Sequence, residues 1–302
     1  MNKIIKQAFT LIELLVVIAI IGILSGLIVV SMNGVTDKAT IAKSQIFSNS
    51  LRNNLMLNII AQFTFDDIDS ANYDSNKIIN NVAGNIPDSW SDNEGRAYGG
   101  PTLKNGSDCV FGSCLYFDGI DDYVSIASST NLTTGTFTLE WWMNPDATQS
   151  FTSSGIIAKD SNAANEWKIY LVSSTRMDFV NAYTGSLIII GNPQGLHHWA
   201  MTANGYNFSV YKDGQKIIDN ITMVAETVGN TQNLYIGRGL NSGDSTWRYF
   251  KGFIDNVRIY NAVIPISQIK EQYFNGLNNL FLNGGINREE YLSRINEVGL
   301  GN

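Results

Sequence analysis

The stretch KQAFTLIELLVVIAIIGIL, Lys6–Leu24, constrains this chain more than any other, because from Leu14 to Met32 no charged residue occurs. As a helix rising 1.5 Å per residue, that run measures about 28 Å, close to the hydrocarbon thickness of a bilayer. Lys3 and Lys6 precede it and Asp37 follows it, which predicts a cytoplasmic N-terminus and an extracytoplasmic remainder. A cleavable secretory signal has a shorter apolar core with a small-residue cleavage site after it. Here the apolar pattern continues through Ile41, Ile46, Leu51, Leu55 and Ile59, with no proline before Pro87. The predicted helix therefore runs from Phe9 to about Asn58, about 75 Å. A helix that long and that apolar requires packing partners along its length.

Glu13 lies inside this segment, where a carboxylate in hydrocarbon costs roughly 2.5–3.5 kcal/mol. A positive group from a neighbouring copy offsets that cost, and a cut just before Phe9 would create one as a new α-amino group. These residues resemble the class III signal of type IV pilins and type II secretion pseudopilins, over about residues 1–60. The resemblance implies a basic leader, residues 1–8, removed by a prepilin peptidase between Ala8 and Phe9, and N-methylation of Phe9. It also implies that Glu13 pairs with the terminal amine of an adjacent subunit during filament assembly. Ala8 stands where the family usually carries Gly, and the apolar segment lacks the kinking Pro of many major pilins. A plain bitopic anchor is the alternative.

After the helix the apolar period changes from helical to two. Charged residues are only 16% of the chain and Gly numbers 27, a composition suited to short strands joined by turns. AQFTFDD reads as a strand with Phe63 and Phe65 on one face. A turn-rich connection, about Ile68 to Asp108, follows. From Cys114 onward strands recur at sandwich-like spacing: CLYFDG, DYVSIA, FTLEWWMN, GIIAKD, WKIYLVS, RMDFVNA, SLIIIG, HHWAMTA, NFSVYKDGQKIID, NLYIGRG and FKGFIDNVRIY. Asp213 and Gly214 fit a type I′ hairpin turn. In order and rough spacing, CLYFDGIDDYVSI, FTLEWWMNP, HHWAMTANGYNFSVYKDGQKI and LYIGRGLNSGDSTWRYFKGFIDNVRIYNAVI resemble the LamG-like, or concanavalin A-like, jelly roll. That likeness implies an antiparallel β-sandwich over residues 59–274. The expected fold is thus mainly β, with a long N-terminal helix and a short C-terminal helical hairpin over residues 275–302.

Candidate sites within the sandwich follow from residue chemistry. Cys109 and Cys114 in CVFGSC can close a small loop as a disulfide in an oxidising compartment, the alternative being two reduced, buried thiols. Asp118, Asp121, Asp122 and Asp255 are carboxylates near turns, and such sets suit Ca²⁺, which takes about six to eight oxygens. The jelly-roll resemblance implies a structural calcium held by an Asp on the last strand, which makes Asp255 the first ligand candidate and Asp118 the second; turn formation without metal is the alternative. Strand alternation places Phe137, Leu139, Trp141 and Met143 on one face, and Thr138, Glu140 and Trp142 on the other. Trp142 with Glu140 and Trp247, joined by Tyr170 and Tyr183, is a candidate sugar-stacking platform; ordinary packing is the alternative. His197 and His198 are adjacent on a strand, point oppositely and do not share a metal, one being expected in the core and the other at the surface.

No HExxH, GxSxG or P-loop occurs, and the paired acidic strand motif of concanavalin-like glycoside hydrolases is absent. No enzymatic activity is expected. The formal charge of −7 argues against nucleic acid as a partner. In the tail, Ser267 is expected to cap one short helix and Asn287 a second, joined at Gly284 and Gly285. The pair is similar to a short oligomerisation motif, with packing on the sandwich as the alternative. Together these readings predict a minor type IV pilin or pseudopilin that displays its sandwich outside the bacterial cytoplasmic membrane, at the cell surface or on a filament, to bind a glycan or protein in adhesion. The expected partners are other pilin subunits, prepilin peptidase and the membrane. Alternatives are a structural subunit of a secretion pseudopilus that binds no outside ligand and a membrane-tethered glycan-active enzyme.

Overall fold

The computed structural model describes residues 15, 16 and 18–20 and, between 58 and 299, all but short segments (75–76, 80–81, 83, 92, 130–134, 150–153, 160–166, 182–185, 206, 223–230 and 242–245). The chain divides into two compact units, residues 1–46 and 47–302. In the first, Leu15, Val16, Ile18 and Ile20 are helical and exposed. Ala8, Phe9, Glu13 and most of the predicted apolar helix lie outside the described residues. Among the described residues, no helix is long and apolar enough to cross a membrane.

The second unit is mainly β. Its strands are β1 (Ile59–Phe63), β2 (Tyr73–Asp74), β3 (Lys77–Ile78), β4 (Gly95–Tyr98), β5 (Thr102–Asn105), β6 (Ser113–Asp118) and β7 (Tyr123–Ile126). There follow β8 (Thr136–Pro145), β9 (Ser154–Lys159), β10 (Trp167–Ser173), β11 (Arg176–Asn181), β12 (Ser186–Gly191) and β13 (His197–Asn204). The last are β14 (Asn207–Lys212), β15 (Gln215–Thr222), β16 (Leu234–Ile236), β17 (Arg238–Asn241), β18 (Thr246–Tyr249) and β19 (Lys251–Tyr260). Two sheets result. The first runs β15-β14-β13-β8-β19-β6-β5-β3-β2, with β1 on the second half of β19; the second runs β12-β11-β10-β9-β16-β7-β4, with β17 and β18 attached through β9. Pairing is antiparallel apart from one parallel bridge, Tyr249 to Gly155.

Alternation along β8 follows the sequence reading. Phe137, Leu139, Trp141 and Met143 enter the core between the sheets with Phe63, Phe117, Phe179, Trp199 and Phe208, whereas Thr138, Glu140 and Trp142 face away from it. The hairpin from β14 to β15 has the expected two-residue loop: Lys212 lies opposite Gln215, and Asp213 and Gly214 take φ of 50° and 73°. The two histidines diverge as expected, His198 being buried and His197 partly exposed, with its Nδ1 2.6 Å from Asp213 Oδ2.

Two helices follow the last strand: α1 (Ile266–Leu282) covers the outer face of the first sheet, and α2 (Arg288–Glu297) packs against α1 through Tyr291 on Phe281. The residue 274/275 boundary falls inside α1. Ser267 does not cap it: the extended backbone of Pro265 starts the helix at Ile266 and leaves Ser267 within the first turn. Asn287 does cap α2, its side chain accepting from the Glu290 N–H at 2.9 Å. Tyr273 of α1 stacks on Trp142 with centroids 5.8 Å apart, and a Cβ added at Gly276 would lie 2.4 Å from the Trp142 ring. Helix-interior glycine is unfavourable by roughly 0.5–1 kcal/mol relative to Ala, but here the missing side chain is what lets the helix lie against the indole.

Candidate functional site

On the outer face of the second sheet, three short strands each contribute one outward aromatic. In β4, Gly95 and Ala97 turn inward and Tyr98 outward; in β7, Val124 and Ile126 turn inward and Tyr123 outward; in β16, Leu234 and Ile236 flank outward Tyr235. The register puts Tyr98 opposite Tyr123 and Ser125 opposite Tyr235. The Tyr98 and Tyr123 rings stack, 4.7 Å apart and 7° from parallel.

The hairpin of β17 and β18 folds back onto this face. A Cβ on Gly155 would lie 2.0 Å from the Gly239 nitrogen, so the hairpin backbone rests directly on that of β9. Lys168 Nζ donates to the Leu240 carbonyl at 2.8 Å, and the Tyr170 hydroxyl donates to the same oxygen, anchoring the hairpin from below. Arg238 enters the cluster from this hairpin. Its guanidinium carbon is 3.6 Å from the centroid of Tyr123, 4.1 Å from that of Tyr235 and 3.8 Å from that of Trp247. Tyr249 completes the group, 6.3 Å from Tyr123. The five rings are half-buried, while Arg238 is 9% exposed. The product is a partly open aromatic surface with a cation set in its middle.

The acidic turn lies beside it in sequence, ending at Asp122 next to Tyr123. Asp118, Asp121 and Asp122 each present an oxygen within 4.8 Å of the others, the only such group of three or more among the described residues. Asp122 Oδ2 accepts from the Asp118 N–H at 2.9 Å, while its Oδ1 is buried without a donor. Burial pushes the Asp122 carboxyl up to about 6, with Asp118 and Asp121 adding repulsion and Lys77 opposing it. A buried, half-satisfied carboxylate beside two others fits a hard cation, and these three residues could hold one.

Asp255 does not join them. Lys251 stands opposite Asp118 and Ile254 opposite Leu115, so Asp255 is displaced from Asp118 by about four residues of strand, roughly 13 Å. It instead accepts from the N–H groups of Val110 and Phe111, at 2.8 and 2.9 Å, inside the loop closed by the Cys109–Cys114 disulfide. Asp66 accepts from Ser113 N–H at 2.6 Å in the same loop. Burial raises both carboxyls, Asp255 strongly, and each of Asp66 and its neighbour Asp67 adds repulsion to the next. The joint Asp118 and Asp255 ligand set is therefore corrected to two separate acidic places.

The expected platform is also corrected. Trp142 and Glu140 are 2% and 1% exposed because α1 covers their face, and Trp247 stands on the other sheet. Tyr170 is spent on the hairpin anchor, and Tyr183 lies outside the described residues. Beneath α1, a β-bulge in β19 between Asp255 and Arg258, with Asn256 at φ 49°, turns Arg258 to stand opposite Glu140. Burial pushes the Glu140 carboxyl up to about 7, opposed by the Arg258 charge and the Tyr260 hydroxyl, and drives His198 down to about 3. The 3.8 Å approach of His198 Nε2 to Glu140 is thus, near pH 6, a contact between two neutral groups rather than an ion pair.

Residues 118–270 match the family described as the concanavalin A-like lectin/glucanases superfamily. The chain belongs to that superfamily. Residues 5–29 of this lectin/glucanase-superfamily chain match the prokaryotic N-terminal methylation motif, a span that includes Ala8, Phe9 and Glu13. No curated protein matches it. Similar solved structures include the binding domain of Paraclostridial mosquitocidal protein 1, at 14% identity and TM-score 0.52, covering 72% of this chain and 52% of that one. A Trypanosoma rangeli sialidase is similar at 14% identity and TM-score 0.52, over 72% of this chain and 32% of that one. Domain 4 of an extracellular arabinanase from Geobacillus stearothermophilus, solved with arabinotriose, gives 17% identity and TM-score 0.49, over 71% and 97%. The chain thus spans about half of the mosquitocidal binding domain and about a third of the sialidase. At such identities the likeness is one of fold.

Proposed function

We propose that this chain is a minor type IV pilin or pseudopilin whose lectin-like domain binds a glycan in adhesion, through the surface formed by Tyr98, Tyr123, Tyr235, Trp247 and Tyr249. The observation that carries the reading is that cluster of half-buried rings in a domain of a lectin superfamily. The C–H faces of a pyranose pack on aromatic faces, while tyrosine hydroxyls and a central guanidinium supply polar contacts. The methylation motif supports the rest of the reading: a cut between Ala8 and Phe9, a methylated terminus, and Glu13 paired with that amine in a neighbouring subunit. Before assembly the apolar helix holds the precursor in the bacterial cytoplasmic membrane, with the sandwich outside.

Ca²⁺ at Asp118, Asp121 and Asp122 would neutralise the turn that leads into Tyr123, and Asp255 is the weaker candidate, since two backbone N–H groups already occupy one of its oxygens. No catalysis is part of this reading: Glu140, whose carboxyl burial pushes up to about 7, is sealed beneath α1. That sealed face favours one second reading, a structural pseudopilus subunit whose helices face its neighbours.

The test is a glycan array probed with the full chain in detergent micelles and with its Trp247→Ala variant. Binding by the parent and its loss in the variant supports the proposal. Absence of binding to every glycan leaves the structural subunit. Mass spectrometry of the mature N-terminus should find methyl-Phe9.

A further inference from the structure

Arg238 is nine-tenths buried, yet among the described residues its side chain has no hydrogen-bond acceptor or ion-pair partner, and its Nε is buried without an acceptor. Its partners are the faces of Tyr123, Tyr235 and Trp247. Burying a guanidinium is expensive, and ring quadrupoles compensate only part of what a carboxylate would. Among the described residues no carboxylate pairs with it: Asp118, Asp121 and Asp122 stay together on their own turn, and Asp178 is taken by Arg176 at 2.8 Å. The donors are planar, fixed in direction by three rings, and set in the middle of the surface already assigned to a sugar.

We propose that the aromatic surface selects a sugar carrying a carboxylate, with Arg238 as its anion-reading residue; this rests on the glycan-binding reading above. A carboxylate accepts two parallel N–H donors from a guanidinium, and the pyranose that bears it supplies the C–H face for the surrounding rings. Neither a neutral sugar nor an inorganic anion uses both features. The formal charge of −7 repels a polyanion at long range, which favours a glycan with an isolated acidic residue over a continuous polyuronate. A terminal sialic acid and a terminal uronic acid share this chemistry.

The experiment is isothermal titration of the full chain in detergent micelles with sialyllactose and with a glucuronic acid-terminated disaccharide, each beside its carboxyl-reduced derivative. At least one acidic sugar should bind about tenfold or more tightly than its reduced form, consistent with one charge-assisted bidentate contact. The two acidic arms identify the source. Arg238→Gln should remove the preference and Arg238→Lys should keep only part of it; the reduced-sugar comparison on the unaltered protein needs neither variant to fold. Equal binding of acidic and reduced sugars, lost in Trp247→Ala, overturns the acid selectivity and leaves the glycan reading standing. Failure of every sugar here and on the array overturns the glycan reading itself.

Discussion

Replacing Glu140 by Gln should stabilise the sandwich at alkaline pH and do progressively less as the solution is acidified. Glu140 is 1% exposed, and its carboxyl is raised from 4.5 to about 7 by burial, against the opposing pull of Arg258. The native state therefore holds this proton more tightly than the unfolded chain does. Below pH 4.5 the group is protonated in both states and destabilises neither. Between 4.5 and 7 the unfolded chain ionises first, so native stability falls by about 1.4 kcal/mol per pH unit, reaching a total of about 3 kcal/mol above 7. His198 acts in the opposite sense: its contribution is present above 6.5 and is lost as pH falls toward 3. Comparing the Gln variant with the parent cancels His198, Arg258 and Tyr260, and any fixed difference in amide hydrogen bonding appears as a pH-independent offset. The assay is urea unfolding from pH 4.5 to 8, followed by tryptophan fluorescence. All six tryptophans lie between residues 90 and 247, so the signal reports on the sandwich. A stability difference that stays constant across this range would show that Glu140 remains ionised in the folded protein, paired with Arg258, and would refute the reasoning.

Gly276→Ala should cost about 1–3 kcal/mol in unfolding free energy measured the same way, since the new Cβ meets the Trp142 ring at 2.4 Å; an unchanged midpoint would mean that α1 does not rest on the indole. Cys109→Ser with Cys114→Ser should lower stability by roughly 2 kcal/mol, the loop entropy of a short closed ring, with the Asp255 contacts to Val110 and Phe111 loosened in amide exchange. If the acidic turn holds Ca²⁺, chelation should lower the thermal midpoint of the parent but not of Asp122→Asn, so equal shifts in both would remove the turn as the site. Glu13→Val should leave membrane insertion intact and block filament incorporation, as judged by sheared-filament immunoblots; normal incorporation would sink the amine-pairing account.

Much of this was legible in the residues, and the failures have identifiable causes. Alternation assigned Trp141 to the core and Trp142 to the opposite face, because inward and outward positions repeat every two residues wherever a strand is regular. It could not say what lay over Trp142. The cover is α1, a helix expected in the tail but with no docking place readable there, and Gly276 marks that place only once the helix is seen against the indole. Trp247, expected beside Trp142, stands instead in a different aromatic cluster, whose Tyr98, Tyr123, Tyr235, Tyr249 and Arg238 were not singled out. The tyrosines lie on short strands with the pattern of any half-exposed residue, and Arg238 on a short strand gives no sign of its burial. The weak signal was the recurrence of one outward tyrosine in GRAY, YVSI and LYI.

The sequence by itself determined the two-part character of the chain, an apolar methylation-motif segment followed by an antiparallel sandwich, because hydrophobic period and turn chemistry are local properties. It also determined the Asp213–Gly214 hairpin and the Asn287 cap, where the side chain acts on its own backbone. Only the tertiary structure decided which side chains meet. Strand order β4-β7-β16 gathered tyrosines from residues 98, 123 and 235, and the returning hairpin carried Arg238 among them. The bulge at Asn256 shifted β19 by one residue, turning Arg258 toward Glu140, where unbroken alternation would have sent it to the core. Contacts between distant strands depend on register and sheet order, which no local pattern encodes.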